Sequence, residues 1–341
     1  MLNTILTILA LPFMPFFLYG NLTGNALADT NARPQVLGET TQKEDQNVRG
    51  SQLYNLFPIN QKLSTSPPPQ KAADYADIMI WAGSSMVIDV DSGTILEYYN
   101  GRKQAQIASL TKIMTAVLIV EKVKNLDEEV TLVPEGLNII GTVVGCPNSV
   151  ASYCNGPRMV AGEKIAVRDL LKAMLLNSAN DAATSLAIHV AGSAKDFVKM
   201  MNERAKELEL KDSHFCTPSG LELDGKEETC YSSAYDIARI AAHSLKYKEI
   251  WDIMKLKEAD IYSTDGKHVH HLESTNKLLD QMDNCLGGKT GFTPLAGHSL
   301  LAAATDPTGR HRIVAVILND AYRWMDMKTL IGWTFDNYIW K

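Results

Sequence analysis

One short run of residues, Ile113–Val120, constrains the fold of this 341-residue chain more than any other segment. Seven of its eight side chains are apolar, and Thr115 is the exception. A helix that is apolar nearly all round belongs in the interior of a domain and not on its surface. The rest of the chain must therefore supply elements that surround this helix on every side.

Other segments have the patterns of these surrounding elements. Residues 85–90 and 94–99 are apolar runs joined by Asp91-Ser92-Gly93, which indicates a β-hairpin. Two more strands are predicted at 299–305 and 313–318, separated by an Asp-Pro-Thr-Gly turn. Further helices are predicted at 167–176, 181–190, 197–208, 235–245 and 325–338. Strands near both ends with helices between them predict an α+β fold, in which one antiparallel sheet is built from both ends of the chain and flanked by helices, with a helical subdomain.

The first 73 residues differ in composition from the rest. Residues 1–28 contain no charged side chain and end in Ala26-Leu27-Ala28, a pattern typical of signal-peptidase sites. We expect a signal peptide there, or alternatively an uncleaved N-terminal anchor, and either one places the remaining chain outside the cytoplasm. Residues 29–73 are rich in polar residues and proline and are predicted to form a disordered linker. The folded domain is expected to span residues 74–341.

The five cysteines agree with an extracytoplasmic location. Cys146 and Cys154 flank one short polar segment, and Cys216 and Cys230 flank a longer one. Two disulfides closing these loops are the simplest expectation outside the cell, and Cys285 is then left over. No C-x-x-C spacing occurs, so a zinc site is not expected.

The apolar helix is preceded by Ser109-Leu110-Thr111-Lys112. Residues three apart on a helix share a face, so the Lys112 amine can reach the Ser109 hydroxyl. A serine nucleophile needs such a base, and burial in an apolar helix favours the neutral, basic form of lysine. Ser109 is otherwise a simple helix cap. The same Ser-x-x-Lys spacing recurs at Ser274 and Lys277, but no long apolar helix follows there.

Two further segments carry polar groups suited to a substrate. Ser178-Ala179-Asn180 interrupts two predicted helices, and its side chains can relay a proton and hold an amide. Lys289-Thr290-Gly291-Phe292-Thr293 opens a predicted strand with a cation and a hydroxyl, both suited to a carboxylate. The alternatives are a helix-capping loop for the first and a glycine-rich turn with a solvated lysine for the second.

Together, and in this order, the three motifs resemble those of penicillin-binding proteins and serine β-lactamases. The sequence around Ser109 and the run Gly288–Gly297 resembles the D-alanyl-D-alanine carboxypeptidases of low molecular mass. The segments Gly220-Leu221, Ser233–Asp236 and Asn276–Leu279 resemble them too, and the resemblance covers roughly residues 85–319. It implies a β-lactamase/transpeptidase-like fold and a penicillin-binding enzyme that removes the terminal D-alanine from peptidoglycan stem peptides.

The resemblance also implies a role for each motif. Ser109 attacks the carbonyl of the penultimate D-alanine, Lys112 is its base, Ser178 relays a proton and Asn180 contacts the peptide. Lys289 and Thr290 bind the terminal carboxylate, and the positive charge of Lys289 helps to keep Lys112 neutral. The substrate-binding strand comprises Lys289, Thr290, Gly291, Phe292 and Thr293, and the backbone N–H groups of Ser109 and Phe292 form the oxyanion hole. β-Lactams are expected to acylate Ser109.

Three other functions share this motif set. An endopeptidase that cuts D-alanyl cross-links uses the same residues. A β-lactamase commonly has a Glu-x-x-Leu-Asn string, which is absent, although Glu222 and Glu227 lie in the comparable region. A catalytically silent wall-binding module is not favoured, because all motif residues are present.

Neither a cofactor nor a metal is expected. His268, His270 and His271 offer a metal-chelating spacing, but no carboxylate or cysteine cluster accompanies them, and we interpret them as a solvated strand edge. The net charge of −6 argues against nucleic-acid binding. The chain ends soon after its last predicted helix, so we expect no C-terminal β domain and membrane attachment only through the N-terminal segment.

Overall fold

The structure is a computed structural model that describes residues 66–145, 156–223, 225 and 227–341. Its strands, numbered in chain order, are β1 (Gln70–Lys71), β2 (Ser84–Asp89), β3 (Ile95–Tyr99), β4 (Glu129–Thr131), β5 (Lys164–Ala166), β6 (Glu258–Tyr262), β7 (Val269–Glu273), β8 (Cys285–Thr293), β9 (Gly297–Thr305), β10 (Arg312–Leu318) and β11 (Tyr338–Ile339). Its helices are α1 (Lys112–Lys122), α2 (Pro134–Leu137), α3 (Val167–Leu175), α4 (Asn180–Ala191), α5 (Ala194–Glu207), α6 (Ala234–Ser244), α7 (Lys248–Met254) and α8 (Arg323–Asn337). A 3-10 turn, Ala108–Thr111, leads directly into α1.

The main sheet has five antiparallel strands in the order β3-β2-β10-β9-β8. The early hairpin β2–β3 therefore pairs with the late strands β8–β10 through β10, which confirms a sheet built from both ends of the domain. The strand β8, which carries the Lys-Thr-Gly motif, lies at an edge of this sheet. One edge of the sheet is thus left open beside the motif.

Both faces of the sheet are buried. Along β10, Val314 and Val316 belong to the larger hydrophobic core, which includes α1 and α6. The alternate residues Ile313 and Ala315 belong to a second core, formed with α8 on the opposite face. This alternation follows from the two-residue period of a strand. The result is a helix–sheet–helix arrangement of the α+β class, as predicted.

The apolar run lies in α1, a helix whose first eight residues are all buried. In α1, Ile113, Val117 and Ile119 are completely inaccessible to solvent. Burial of one such side chain contributes about 1.5–3 kcal/mol to folding. The helix packs against α3, α4, α5 and α6, so the residue that begins it, Lys112, is held in the centre of the domain.

Several short elements differ from the prediction. The strands β4 and β5 pair as a small two-stranded sheet, and β6 and β7 pair as a hairpin. Of these four strands the sequence indicated only β7, as the strand edge of the histidines, because three to five residues are too few to establish a clear period. The strand β1 pairs with β11 at the end of the domain, Gln70 opposite Ile339. Structure therefore begins inside the predicted 29–73 linker. The pairing joins residues that are far apart in the chain, and local composition carries no sign of it.

The predicted N-terminal segment and one predicted disulfide lie outside the described residues, namely residues 1–28, most of the linker, Cys146 and Cys154. Within the described part, Cys216 and Cys230 form a disulfide, as predicted, and Cys285 is a buried free thiol in β8. Among the helices described here, none combines the length and the apolar character needed to cross a bilayer.

We expect the Cys216–Cys230 disulfide to contribute to stability. The two cysteines are 14 residues apart, and a crosslink that closes a loop of this size stabilises a protein by about 3 kcal/mol, mainly by restricting the unfolded chain. The double variant Cys216→Ser/Cys230→Ser should lower the free energy of unfolding by about 2–4 kcal/mol in urea titrations. Substitution removes this crosslink alone, whereas a reductant acts on every disulfide of a protein. An unchanged unfolding midpoint would contradict the prediction.

Candidate active site

Ser109 and Lys112 lie together where the 3-10 turn passes into α1. The Lys112 Nζ atom is 2.8 Å from the Ser109 Oγ atom. It also donates hydrogen bonds to Oδ1 of Asn180 and to the backbone carbonyl of Ser219, both at 2.8 Å. Lys112 is fully buried and Ser109 is half-buried. The nucleophile is thus reachable from outside, while its neighbouring amine is not.

The surroundings of Lys112 favour its neutral form. Burial lowers the pKa of Lys112 well below its usual value, and the positive charge of Lys289 lowers it further. The Asp181 carboxylate opposes these two effects, but its influence on the pKa of Lys112 is smaller than either of them. The net result is an amine that can accept a proton from the Ser109 hydroxyl.

The loop between α3 and α4 brings the second motif to the same place. Ser178 adopts a left-handed backbone conformation, with φ of 60°, which is rare for a residue with a side chain. Its Oγ atom accepts a hydrogen bond of 2.8 Å from the Lys289 Nζ atom. Asn180 begins α4, and its Nδ2 atom donates to the carbonyl of Ile140 at 2.9 Å. Each buried lysine is therefore hydrogen-bonded to one residue of this motif, Lys289 to Ser178 and Lys112 to Asn180.

The third motif lies on β8. Lys289 is fully buried and also donates to the carbonyl of Thr290 at 3.0 Å. Burial and the nearby Arg323 guanidinium lower the pKa of Lys289 to about 7. The Thr290 hydroxyl lies 2.7 Å from that of Thr275. The Lys289 amine and the Thr290 hydroxyl thus belong to successive residues of β8, and each is held by a partner from another segment, Ser178 and Thr275 respectively.

Glycine at 291 allows β8 to approach the turn that carries Ser109. A Cβ atom at this position would lie 2.8 Å from the carbonyl oxygen of Ile107, closer than such atoms come in proteins. Next along the strand, Phe292 is 55% exposed and stacks on His298. The Thr293 hydroxyl donates a hydrogen bond to Glu222. All nine residues of the predicted site therefore lie on the 3-10 turn, α1, the α3–α4 break and β8, which pack around one another.

Four residues of this site were missed from the sequence: Asp181, Ser219, Thr275 and Arg323. Ser219 contributes only its backbone carbonyl, which no side-chain pattern can indicate, although Gly220-Leu221 beside it was part of the resemblance. Arg323 Nη1 donates to the carbonyls of Gly291 and Ser299 at 3.0 and 3.3 Å. Thr275 lies inside the second Ser-x-x-Lys segment. There Lys277 is exposed to solvent, so that segment has no buried base.

The three histidines do not behave alike, and the interpretation as a solvated strand edge is wrong for one of them. His270 is fully buried, with Nε2 2.8 Å from the Glu163 carboxylate and Nδ1 2.9 Å from the carbonyl of Pro157. His271 is 41% exposed and pairs with Asp260 on the neighbouring strand. His268 stacks on His270. The Glu163 carboxylate, which comes from a distant segment, gives the buried His270 ring a hydrogen-bond partner and raises its pKa.

Gly220 offers a test of how the loop beneath the site is packed. Its φ is +82°, and a Cβ atom there would lie 2.0 Å from the carbonyl oxygen of Ala108, beside the nucleophile. Gly220→Ala should lower the free energy of unfolding by at least about 1 kcal/mol more than Gly162→Ala. Gly162 has a similar φ of +86° but no atom within 4 Å of such a Cβ. Urea unfolding of both variants measures the difference, and equal losses would contradict close packing at Gly220.

Comparison with known proteins agrees with this geometry. Residues 69–322 match the model of a family described as D-alanyl-D-alanine carboxypeptidase. The chain belongs to this family. It is 34% identical to the D-alanyl-D-alanine carboxypeptidase DacF of Bacillus subtilis over 69% of this chain and 57% of that protein. It is 31% identical to a D-alanyl-D-alanine endopeptidase of Pseudomonas aeruginosa, over 74% of this chain and 76% of the relative.

A solved structure shows the same fold. Penicillin-binding protein D2 of Listeria monocytogenes, in its ampicillin-bound form, superposes with a TM-score of 0.62 and 30% identity. The match covers 76% of this chain and 99% of the Listeria chain. The fold is thus that of the penicillin-binding proteins. The chain spans less than two thirds of the length of the carboxypeptidases it matches first, 57% for DacF and 64% for DacD of Escherichia coli.

Proposed function

We propose that this protein is a serine-type D-alanyl-D-alanine carboxypeptidase that removes the terminal D-alanine from peptidoglycan stem peptides through an acyl-enzyme. One observation carries the proposal: the fully buried Lys112 amine lies 2.8 Å from the half-buried Ser109 hydroxyl. Burial and the Lys289 charge lower the pKa of that amine. A neutral amine at hydrogen-bonding distance is what a serine needs in order to become a nucleophile.

The positions of the side chains support the following reaction. The Ser109 Oγ atom forms a bond to the carbonyl carbon of the penultimate D-alanine while its proton passes to Lys112. The backbone N–H groups of Ser109 and Phe292 stabilise the negative charge on the carbonyl oxygen. The bond to the terminal D-alanine then breaks, and Ser178 relays a proton to the leaving amine. Water hydrolyses the resulting ester and restores Ser109.

Substrate binding is assigned to the remaining motif residues. Lys289 and Thr290 hold the terminal carboxylate, and Asn180 contacts the peptide amide. Gly291 allows the close approach of β8, and Phe292 and Thr293 continue the substrate-binding strand. A carboxylate at Lys289 favours the protonated form of that lysine, and its charge in turn keeps Lys112 neutral. Binding of the correct substrate end therefore supports the basic form of Lys112.

The proposal includes the compartment and the inhibitors. Peptidoglycan lies outside the cytoplasm, and the N-terminal residues 1–28 resemble an export signal. β-Lactams present a reactive carbonyl and a carboxylate, and we propose that they acylate Ser109. The ampicillin-bound form of the similar Listeria protein supports this part of the proposal.

Product analysis with two substrates tests the function. Incubation of the purified protein with a stem pentapeptide is expected to release free D-alanine and a tetrapeptide. Intact mass after exposure to benzylpenicillin should show one stable adduct, and peptide mapping should place it on Ser109. Absence of both D-alanine release and adduct would refute the proposal. Rapid turnover of penicillin would instead indicate a β-lactamase.

A second candidate is a D-alanyl endopeptidase that cuts cross-links between stem peptides. The observation that favours this candidate is the match to the Pseudomonas aeruginosa endopeptidase, which covers 76% of that protein. Both reactions use the same nucleophile and base and differ in the leaving group. A purified cross-linked dimer offered beside the pentapeptide distinguishes them. Faster cleavage of the dimer would favour the endopeptidase.

A further inference from the structure

Thr115 is the one polar residue of the apolar run Ile113–Val120, and its hydroxyl has a distant partner. The side chain is completely inaccessible to solvent. A buried threonine in a helix commonly donates to the carbonyl four residues earlier, as Thr334 does to Leu330 in α8. The Thr115 hydroxyl instead donates to the carbonyl of Pro218, 103 residues away in the sequence, at 2.7 Å. It therefore fastens a distant loop to α1.

The loop that Thr115 holds is also the one that contacts Lys112. Pro218 is followed by Ser219, whose carbonyl accepts a hydrogen bond of 2.8 Å from the Lys112 Nζ atom. Lys112 and Thr115 are three residues apart, so they share a face of α1. One turn of the helix thus binds two successive carbonyls of the loop. Neither carbonyl belongs to a helix or a strand, so side chains fix their position.

The turn that contains Pro218 and Ser219 is closed by its own hydrogen bonds. The Thr217 hydroxyl accepts a hydrogen bond of 3.0 Å from the backbone N–H of Gly220 and donates one of 2.9 Å to the carbonyl of Leu221. These bonds tie the residues on either side of the two carbonyls together. A displacement of the Pro218 carbonyl is therefore passed on to the Ser219 carbonyl.

The partners of the Lys112 amine determine where its lone pair points. A neutral amine has two N–H bonds and one lone pair. Oδ1 of Asn180 and the Ser219 carbonyl only accept hydrogen bonds, and each lies 2.8 Å from Nζ. The Asn180 amide is fixed in this orientation because its Nδ2 atom donates to the carbonyl of Ile140. Both N–H bonds are therefore used, and the lone pair is left for the Ser109 hydroxyl, also at 2.8 Å.

Removal of the Thr115 hydroxyl would disturb this arrangement. The Pro218 carbonyl is buried and would lose its donor, and a buried acceptor without a partner is destabilising. The turn is expected to shift until that carbonyl finds another donor, and Ser219 shifts with it. One N–H bond of Lys112 is then free to point at Ser109, and the lone pair is no longer directed at the hydroxyl proton.

We propose that Thr115 is a positioning residue, which acts through the Pro218–Ser219 turn to direct the lone pair of Lys112 toward the Ser109 hydroxyl. This inference rests on the proposed function. Thr115 touches no substrate and takes part in no bond that forms or breaks. Once Lys112 has accepted the proton, the Ser219 carbonyl that Thr115 holds in place also stabilises the charged amine.

Stopped-flow acylation by a fluorescent penicillin tests the inference. Thr115→Val nearly keeps the shape of the side chain and removes the hydroxyl. We expect its acylation rate constant to fall by about 10- to 100-fold, the scale of a small misplacement in a catalytic site. Thr115→Ser keeps the hydroxyl and should recover most of the wild-type rate. Thr334→Val is the matched control, because it removes an equally buried hydroxyl from α8, and it should be acylated at the wild-type rate.

The pH profile of acylation separates positioning from a merely structural role. The charged groups that act on Lys112 are Lys289 of β8, which lowers its pKa, and Asp181 of α4, which raises it. Both remain in Thr115→Val. Displacement of the Ser219 carbonyl removes an acceptor of the protonated amine, so the pKa of Lys112 should fall further. The rising limb should therefore move to lower pH while the plateau rate decreases.

Each other outcome overturns the inference. A wild-type rate in Thr115→Val shows that the hydroxyl is not needed. A rate in Thr115→Ser as low as in Thr115→Val assigns the effect to packing of the methyl group. An equal loss in Thr334→Val shows a general effect of losing a buried hydroxyl. A slow Thr115→Val with an unmoved rising limb shows that the loop does not act through Lys112.

A second pair of variants covers a failure of Thr115→Val to fold. Thr115→Ala and Thr115→Ser both lack the methyl group and differ only in the hydroxyl, so the same difference in rate is expected between them. Equal rates in this pair contradict the inference. Failure of the proposed function is distinguishable, because then the wild-type protein itself forms no adduct and releases no D-alanine.

Discussion

Replacement of Ser109 by alanine should abolish both D-alanine release and acylation by benzylpenicillin, with a fall in rate on the order of 10⁶-fold. In the proposed mechanism the hydroxyl oxygen forms the covalent bond, and among the described serines of the site only Ser109 has Lys112 as its side-chain partner. Ser178, the nearest candidate, has its Oγ atom 2.8 Å from Lys289. The pKa of Lys289 is near 7, so this amine stays largely charged when it holds a carboxylate.

The base and the nucleophile should act as one unit. Lys112→Ala should lower acylation by about 10²- to 10⁴-fold, the range of general-base catalysis. The double variant Ser109→Ala/Lys112→Ala should be acylated no more slowly than Ser109→Ala, because the residual rate no longer depends on either group. Stopped-flow acylation with a fluorescent penicillin measures all three variants. Ser274→Ala, in the second Ser-x-x-Lys segment, is the control and should acylate within a few-fold of wild type. Substantial acylation of Ser109→Ala would refute the assignment.

Much of this site could be predicted because its parts are local. Ser109 and Lys112 are one turn apart, and the apolar run beside them indicates a buried helix from composition alone. Gly291 is informative for the same reason, since a glycine after Lys289 and Thr290 allows close packing of the strand. Short motifs of this kind carry their chemistry within a few residues. Their order then identified the family.

The parts that escaped prediction depend on contacts between distant segments. The Ser219 carbonyl reaches Lys112 across more than a hundred residues. The buried pair of His270 and Glu163 is likewise invisible locally, because each residue alone resembles a solvated polar side chain. The pairing of β1 with β11 joins the two ends of the domain. In each case burial is set by tertiary packing, which a single sequence does not display.

Lys289→Ala should lower kcat/KM for the pentapeptide by about 10²-fold or more, since the substrate carboxylate would lose a buried cationic partner. The pH profile should change as well. In the wild-type protein, activity rises with pH as Lys112 loses its proton. It falls again as Lys289, with a pKa of about 7, loses the charge that binds the carboxylate. A bell-shaped profile of kcat/KM is therefore expected.

The variants should separate the two effects of this cation. In Lys289→Ala the falling limb disappears, and the rising limb moves to higher pH because the pKa of Lys112 is no longer lowered by a neighbouring charge. Lys289→Arg keeps the charge at every accessible pH, so its rising limb should stay in place while its falling limb is lost. Profiles of kcat/KM for the three proteins across the neutral range measure both limbs. An unmoved rising limb in Lys289→Ala would show that burial alone keeps Lys112 neutral, and that Lys289 serves only to bind the substrate carboxylate.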